Sequence, residues 1–129
     1  MTFRVLVDSP DPVARQSLVR GLRRDAFKVL PACPAGSAVG SVLEKEPDIL
    51  VLDIDRGPCC TGEMILELRK ARPHLRIIVL GKSSSVEHAD ILDGVFTYMT
   101  KPVGKQLAEV VEAAGRALAR RQVEEESRS

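Results

Sequence analysis

Short runs of consecutive apolar residues alternate along the chain with longer segments in which apolar residues recur every three or four positions. Runs of the first kind are typical of strands buried on both faces of a parallel sheet, and segments of the second kind are typical of amphipathic helices. The strand-like runs cover residues 3–7, 27–30, 48–53, 76–80 and 95–99. Five strand and helix pairs therefore predict an α/β fold with a five-stranded parallel sheet and five helices.

Residues that favour helix ends mark where the predicted helices begin and stop. Asp11 and Pro12 suit the N-cap and the first position of the first helix. The fourth helix is predicted to be short, over residues 86–92. The apolar stripe of the last helix stops after Ala119, which predicts one domain over residues 1–119.

Residues 120–129 are polar, with Val123 as their one apolar member. Such a segment cannot bury a stripe, so we predict a polar linker or frayed tail, with a solvated helix extension as the alternative. A linker in this position favours a domain cut from a longer regulator over a stand-alone domain.

The predicted topology gathers polar residues at one edge of the sheet. Right-handed crossovers give the flavodoxin-like, doubly wound strand order 2-1-3-4-5, in which ligands bind beyond the carboxyl ends of the strands. Those ends carry Asp8, Asp53, Gly81 and Lys101. We therefore expect carboxylates to face an ammonium group across a crevice.

Three segments resemble motifs of one protein family. They are Pro47-Asp48-Ile49-Leu50-Val51-Leu52-Asp53, the stretch from Gly94 to Tyr98, and Thr100-Lys101-Pro102. With these segments, the chain resembles the response-regulator receiver domain of two-component signalling over about residues 3–119. The resemblance implies that Asp53 is the phosphoacceptor, that Lys101 contacts the phosphoryl group, and that Tyr98 belongs to the conformational switch.

The same resemblance implies a signalling protein without enzymatic turnover. Its partner would be a histidine kinase or a phosphotransfer protein, its compartment the cytoplasm, and a longer chain would carry an output domain. The family offsets the charge of the phosphoryl group with Mg²⁺ held by oxygen ligands. Asp53 would be one of these ligands.

The chain departs from the family's pattern at the metal site and at the switch. The positions that resemble the family's acidic pair are Ser9 and Pro10, and neither is a carboxylate. Asp8 and Asp11 flank them and are the candidate replacements, so we predict weak Mg²⁺ binding. Gly81 stands where the family has a hydroxyl that moves to the phosphoryl group, which predicts a weakened switch.

Composition narrows the choice of function. The net charge of +1 gives no electrostatic reason for nucleic acid as a direct partner, and no apolar run is long enough to span a membrane. Cys33, Cys59 and Cys60 have neither the spacing of a zinc site nor the even number of a disulfide framework.

Two other functions remain as alternatives. One is a pseudo-receiver that acts through protein contacts without phosphorylation. The other is a flavodoxin-like electron carrier, which the first loop disfavours because its carboxylates repel phosphate and its prolines lack N–H donors.

Overall fold

The computed structural model describes residues 3–9, 12–22, 27–30, 38–53, 62–82, 95–101 and 103–128. These ranges contain five strands and four helices, and the fourth helix predicted from the sequence, over residues 86–92, lies outside them. In chain order the elements are β1 Phe3–Asp8, α1 Pro12–Gly21, β2 Phe27–Leu30, α2 Ala38–Lys45, β3 Ile49–Asp53, α3 Gly62–Ala71, β4 Arg76–Gly81, β5 Thr97–Thr100 and α4 Gln106–Arg128.

All five strands run parallel in the order β2-β1-β3-β4-β5, which confirms the predicted topology. The central strand β3 is buried at every residue, as its uninterrupted apolar run predicts. Asp53 ends this strand beside Leu80 of β4, and Gly81 lies beside Thr100 of β5. The carboxyl ends of β3, β4 and β5 therefore meet at one edge of the sheet.

Each face of the sheet carries its own apolar core. Ile49 and Val51 belong to the core under α1 and α4, whereas Leu50 and Leu52 belong to the core under α2 and α3. Side chains alternate between the two faces along a strand, so Asp53 continues the series of Ile49 and Val51. The carboxylate of Asp53 is thereby directed towards the side of the sheet that α1 and α4 cover.

The helix α4 approaches β1 closely at a glycine. A Cβ atom added to Gly115 would lie 2.9 Å from two carbons of the Phe3 ring. Real Cβ atoms do not come this near to other carbon atoms, so a glycine at this position lets the helix rest on the aromatic ring.

The polar C-terminal residues up to Arg128 are helical, in agreement with the alternative of a solvated helix extension rather than with a frayed tail, and a linker role for this segment stays a prediction. The helix α4 continues to Arg128, with residues 121–126 exposed, and Arg121 Nε lies 3.3 Å from Glu125 Oε1 one turn later. Arg, Gln and Glu are good helix formers and this pair has favourable spacing, so the segment extends the helix without a buried stripe. Across the described ranges, no helix combines the length and the apolar character needed to cross a bilayer.

Candidate functional site

A buried ion pair joins the carboxyl ends of β3 and β5. Lys101 Nζ lies 2.6 Å from Asp53 Oδ1, with side-chain exposures of 22% for Lys101 and 4% for Asp53. The backbone N–H of Lys101 donates to the carbonyl of Gly81 at 2.8 Å, which fixes the start of the lysine side chain at the end of β4. The structure thus brings together the two residues on which the sequence-based site depends.

Ser9 supplies the second partner of the Asp53 carboxylate. Its hydroxyl donates to Asp53 Oδ2 at 3.0 Å, and the residue is buried. The carbonyl of Ser9 in turn accepts from Arg15 Nη1 at 3.5 Å. Sequence reasoning treated Ser9 only as the loss of an acid, although strand alternation from Val5 and Val7 already placed its side chain on the face of Asp53.

The carboxyl group of Asp8 is electrostatically coupled to the site. Burial raises the pKa of Asp8, Arg15 opposes the shift, and the negative charge of Asp53 adds to it. Two carboxylates therefore lie near enough to repel each other, and bringing a cation between them would relieve that repulsion. Pro10 and Asp11, the other residues predicted for this loop, lie outside the described residues.

The oxygen donors described around the ion pair are of the kind that Mg²⁺ prefers. They are the carboxylates of Asp53 and Asp8 and the hydroxyl of Ser9. Within the ranges that the structure describes, no group of three or more His, Cys, Asp or Glu side chains could hold a metal. Mg²⁺ is commonly bound by one or two carboxylates with water in the remaining positions, so these two carboxylates are the side chains that could hold it.

The two predicted switch positions lie on the neighbouring strands β4 and β5, two residues apart in register. Gly81 is buried at the end of β4 and has no hydroxyl, while its carbonyl is bonded to Lys101. Tyr98 pairs with Val79 in the sheet and packs, half-buried, against the core under α2 and α3. The tyrosine ring therefore lies on the opposite face of the sheet from the Asp53 carboxylate.

A cavity of about 840 Å³ opens beside the ion pair, between α1 and the segment that leads from β5 into α4. Asp53 and Lys101 form part of its wall. Sequence reasoning did not find this cavity, because its volume depends on how far α1 stands from α4.

The chain is similar to named response regulators. Over 120 residues it is 37% identical to "Transcriptional regulatory protein PrrA" of Mycobacterium tuberculosis strain H37Rv. This match covers 92% of this chain and 50% of that protein. Over 123 residues it is 33% identical to "Response regulator MprA" of the same strain. That match covers 94% of this chain and 52% of the relative. The chain thus spans about half the length of the curated relatives it matches.

A solved structure shares both the fold and part of the sequence. The signal receiver domain of a modulated diguanylate cyclase from Desulfovibrio desulfuricans G20 superposes with a TM-score of 0.75 at 27% identity, over 92% of this chain and 98% of that one. No protein-family model matches the chain.

Proposed function

Because this chain is a receiver domain of the response-regulator family, we propose that Asp53 accepts a phosphoryl group from a histidine kinase or a phosphotransfer protein. The observation that carries the proposal is the 2.6 Å contact between Asp53 and Lys101 at the carboxyl ends of the strands. A carboxylate nucleophile beside a fixed ammonium group is the arrangement that phosphoryl transfer to an acidic side chain requires.

The transfer exchanges one bond to phosphorus for another. An oxygen of Asp53 forms the new bond to phosphorus, while the bond from phosphorus to the imidazole nitrogen of the donor breaks and that nitrogen keeps the electron pair. Lys101 then offsets the charge of the phosphoryl oxygens. Ser9 holds the carboxylate in place through Oδ2.

We propose that Mg²⁺ assists this transfer and binds weakly. Asp53 and Asp8 would hold the ion, which supplies positive charge next to the phosphoryl oxygens when it is bound. Ser9 contributes a neutral hydroxyl where a second loop carboxylate would add charge, so the affinity is low.

We propose that the output of the phosphorylated domain lies in a further domain of a longer protein. The relatives are about twice the length of the matched region, and PrrA is named a transcriptional regulator. We propose that a further domain reads the phosphorylation state through the face that carries Tyr98. The net charge of +1 gives no electrostatic reason for direct contact with nucleic acid, so we propose that the domain itself contacts proteins.

We propose a coupling between Asp53 and Tyr98 weaker than the roughly 1 to 3 kcal/mol typical of allosteric sites, because Gly81 offers no hydroxyl to the phosphoryl group. Chemical shifts around Tyr98 should change little when fluoroberyllate is added, and more in Gly81→Thr. A full response of the native protein, with nothing added by the substitution, would contradict the weakened switch.

One observation favours a second candidate function, a pseudo-receiver that acts without phosphorylation. The Asp53 side chain is 4% exposed, and both of its oxygens have partners, Lys101 and Ser9. An incoming phosphodonor must therefore reach a carboxylate that is almost fully buried. The buried carboxylate could then serve only to hold the strand ends together.

Incubation with acetyl phosphate separates the two functions. The proposal expects a mass increase of one phosphoryl group that depends on Mg²⁺, is lost in Asp53→Asn, and persists in Asp48→Asn at the other end of the same strand. Hydroxylamine should remove the group, because an acyl phosphate reacts with it. An unmodified wild-type protein at saturating Mg²⁺ and acetyl phosphate would favour the pseudo-receiver.

A further inference from the structure

We propose that the cavity beside the ion pair binds a small amphiphilic anion, with the apolar part of the ligand in the cavity and its acidic group at the lysines. The cavity measures about 840 Å³, within the range of roughly 300 to 1,000 Å³ that is typical of sites for drug-sized ligands. The site does not depend on the proposed phosphorylation of Asp53, because the ligand is expected to bind the unmodified protein.

The helix α1 leaves this volume open because it presents small side chains to it. Ala14, Ser17 and Gly21 recur at helical spacing along the wall of the cavity, and none of the ten residues of α1 is fully buried. A Cβ atom added to Gly21 would meet no other atom within 4 Å. A side chain introduced at this position would therefore enter open space beside the cavity wall.

The chemistry of the wall selects the class of ligand. Its apolar part can accept a hydrocarbon or an aromatic ring, and it includes the half-buried Leu18 and the edge of Val103. Three lysines also line the cavity, Lys82, Lys101 and Lys105, against a single acidic residue, Asp53, among the described lining residues. The surplus of positive charge favours a ligand that carries a carboxylate, sulfate or phosphate group.

The lysines are placed to hold the acidic group at the mouth. Lys82 and Lys105 are exposed, whereas the apolar lining residues Leu18 and Val103 are half-buried and buried, respectively. A bound ligand would therefore keep its charge near water and its apolar part away from it. This division of polar and apolar contacts is the usual arrangement of small-molecule sites.

Decanoate is a suitable probe, because it joins one carboxylate to a flexible apolar chain. We expect saturable binding below its critical micelle concentration, followed by ¹H–¹⁵N shifts that cluster at Leu18, Gly21 and Val103. Decanol and decylammonium, which share the chain but lack the negative charge, should bind more weakly.

Two variants with matched controls test the location. Gly21→Leu fills the cavity from a helical position with room for a side chain, and should weaken decanoate binding by about tenfold or more. Lys105→Glu should weaken it several-fold by reversing one charge at the mouth. The controls Gly40→Leu on α2 and Lys70→Glu on α3 make the same exchanges on the other face of the sheet and should change nothing.

Thermal unfolding of Gly21→Leu checks that the variant is folded, and leucine in place of glycine should favour the helix. The proposal is wrong if wild-type protein shows no saturable decanoate binding, if the shifts cluster away from the cavity, or if Gly21→Leu binds as the wild type does. Equal binding of decylammonium would overturn the assignment of an anion.

Discussion

Replacement of Lys101 by methionine removes the ammonium group from Asp53 and keeps a side chain of similar length. The carboxylate then remains in a position where only 4% of its side chain is exposed. Ser9 still donates to Asp53 Oδ2, but the contact at Oδ1, 2.6 Å in the native protein, is lost. The variant therefore has to bury a negative charge without its ion-pair partner.

The size of the effect follows from how buried the pair is. Removing one member of a fully buried ion pair costs about 3 to 5 kcal/mol, whereas an exposed pair contributes about 0 to 1 kcal/mol. Asp53 is almost fully buried, but Lys101 is 22% exposed, so water can partly replace the ammonium group. We expect Lys101→Met to lower the free energy of unfolding by about 2 to 3 kcal/mol.

Urea denaturation at neutral pH measures this loss as a shift of the midpoint at constant slope. Asp53→Asn in the Lys101→Met background removes the isolated charge, so the double variant should be more stable than Lys101→Met alone by about 1 to 2 kcal/mol. Lys70→Met, on an exposed part of α3, is the control and should change little. A loss below about 0.5 kcal/mol, or no recovery in the double variant, would refute the buried pair.

Three further predictions concern the site and its support. Asp8→Asn should stabilise the fold at neutral pH, because burial raises the pKa of Asp8 and so penalises its charged form. In urea denaturation, this gain in the free energy of unfolding should shrink as the pH falls through the raised pKa towards the ordinary value of 3.8. Ser9→Ala should cost about 1 to 3 kcal/mol in the same assay by removing the buried hydrogen bond from Ser9 to Asp53 Oδ2, whereas Ser9→Asp should strengthen Mg²⁺ binding in calorimetric titration. Gly115→Val should cost about 1 to 3 kcal/mol through its clash with the ring of Phe3, and Phe3→Ala should remove most of that additional cost. The burial of Asp8 would be contradicted if Asp8→Asn and wild type were equally stable at every pH. Unchanged Mg²⁺ affinity in Ser9→Asp would contradict the proposed Mg²⁺ site. An equal cost of Gly115→Val with and without the Phe3 ring would contradict the close approach of Gly115 to that ring.

The sheet and the ion pair could be predicted because both follow from periodicity. An apolar run without alternation, ending in Asp53, identifies a central parallel strand, and the crossover rule then sets the order of its neighbours. Once that order is known, the ends of β3 and β5 must lie at the same edge. The contact between Asp53 and Lys101 needs no further information than this.

The partner at Asp53 Oδ2 could not be predicted with the same ease. Ser9 follows the last residue of β1, where the backbone leaves the sheet and the path of the loop decides what a side chain can reach. A short hydroxyl side chain is also compatible with many partners. Strand alternation gives the face on which Ser9 lies, but the hydrogen bond depends on atomic positions.

The cavity and the length of α4 depend on properties that apolar periodicity does not encode. The volume beside α1 results from the distance between α1 and α4, which are far apart in sequence. It also results from small residues such as Gly21, whose presence in a helix does not indicate a cavity. The extension of α4 beyond Ala119 rests on helix propensity and on the Arg121–Glu125 pair rather than on burial. Both features required the structure.

Phosphorylation of Asp53 is the central claim, and residue-level mapping of the acceptor tests it most directly. Protein treated with acetyl phosphate and Mg²⁺ is reduced with borohydride, which converts an aspartyl phosphate to homoserine, and its peptides are sequenced by mass spectrometry. The account predicts homoserine at position 53 in the wild type and at no position in Asp53→Asn. Homoserine at Asp8 or at any residue other than Asp53, or none in the wild-type protein, would contradict it.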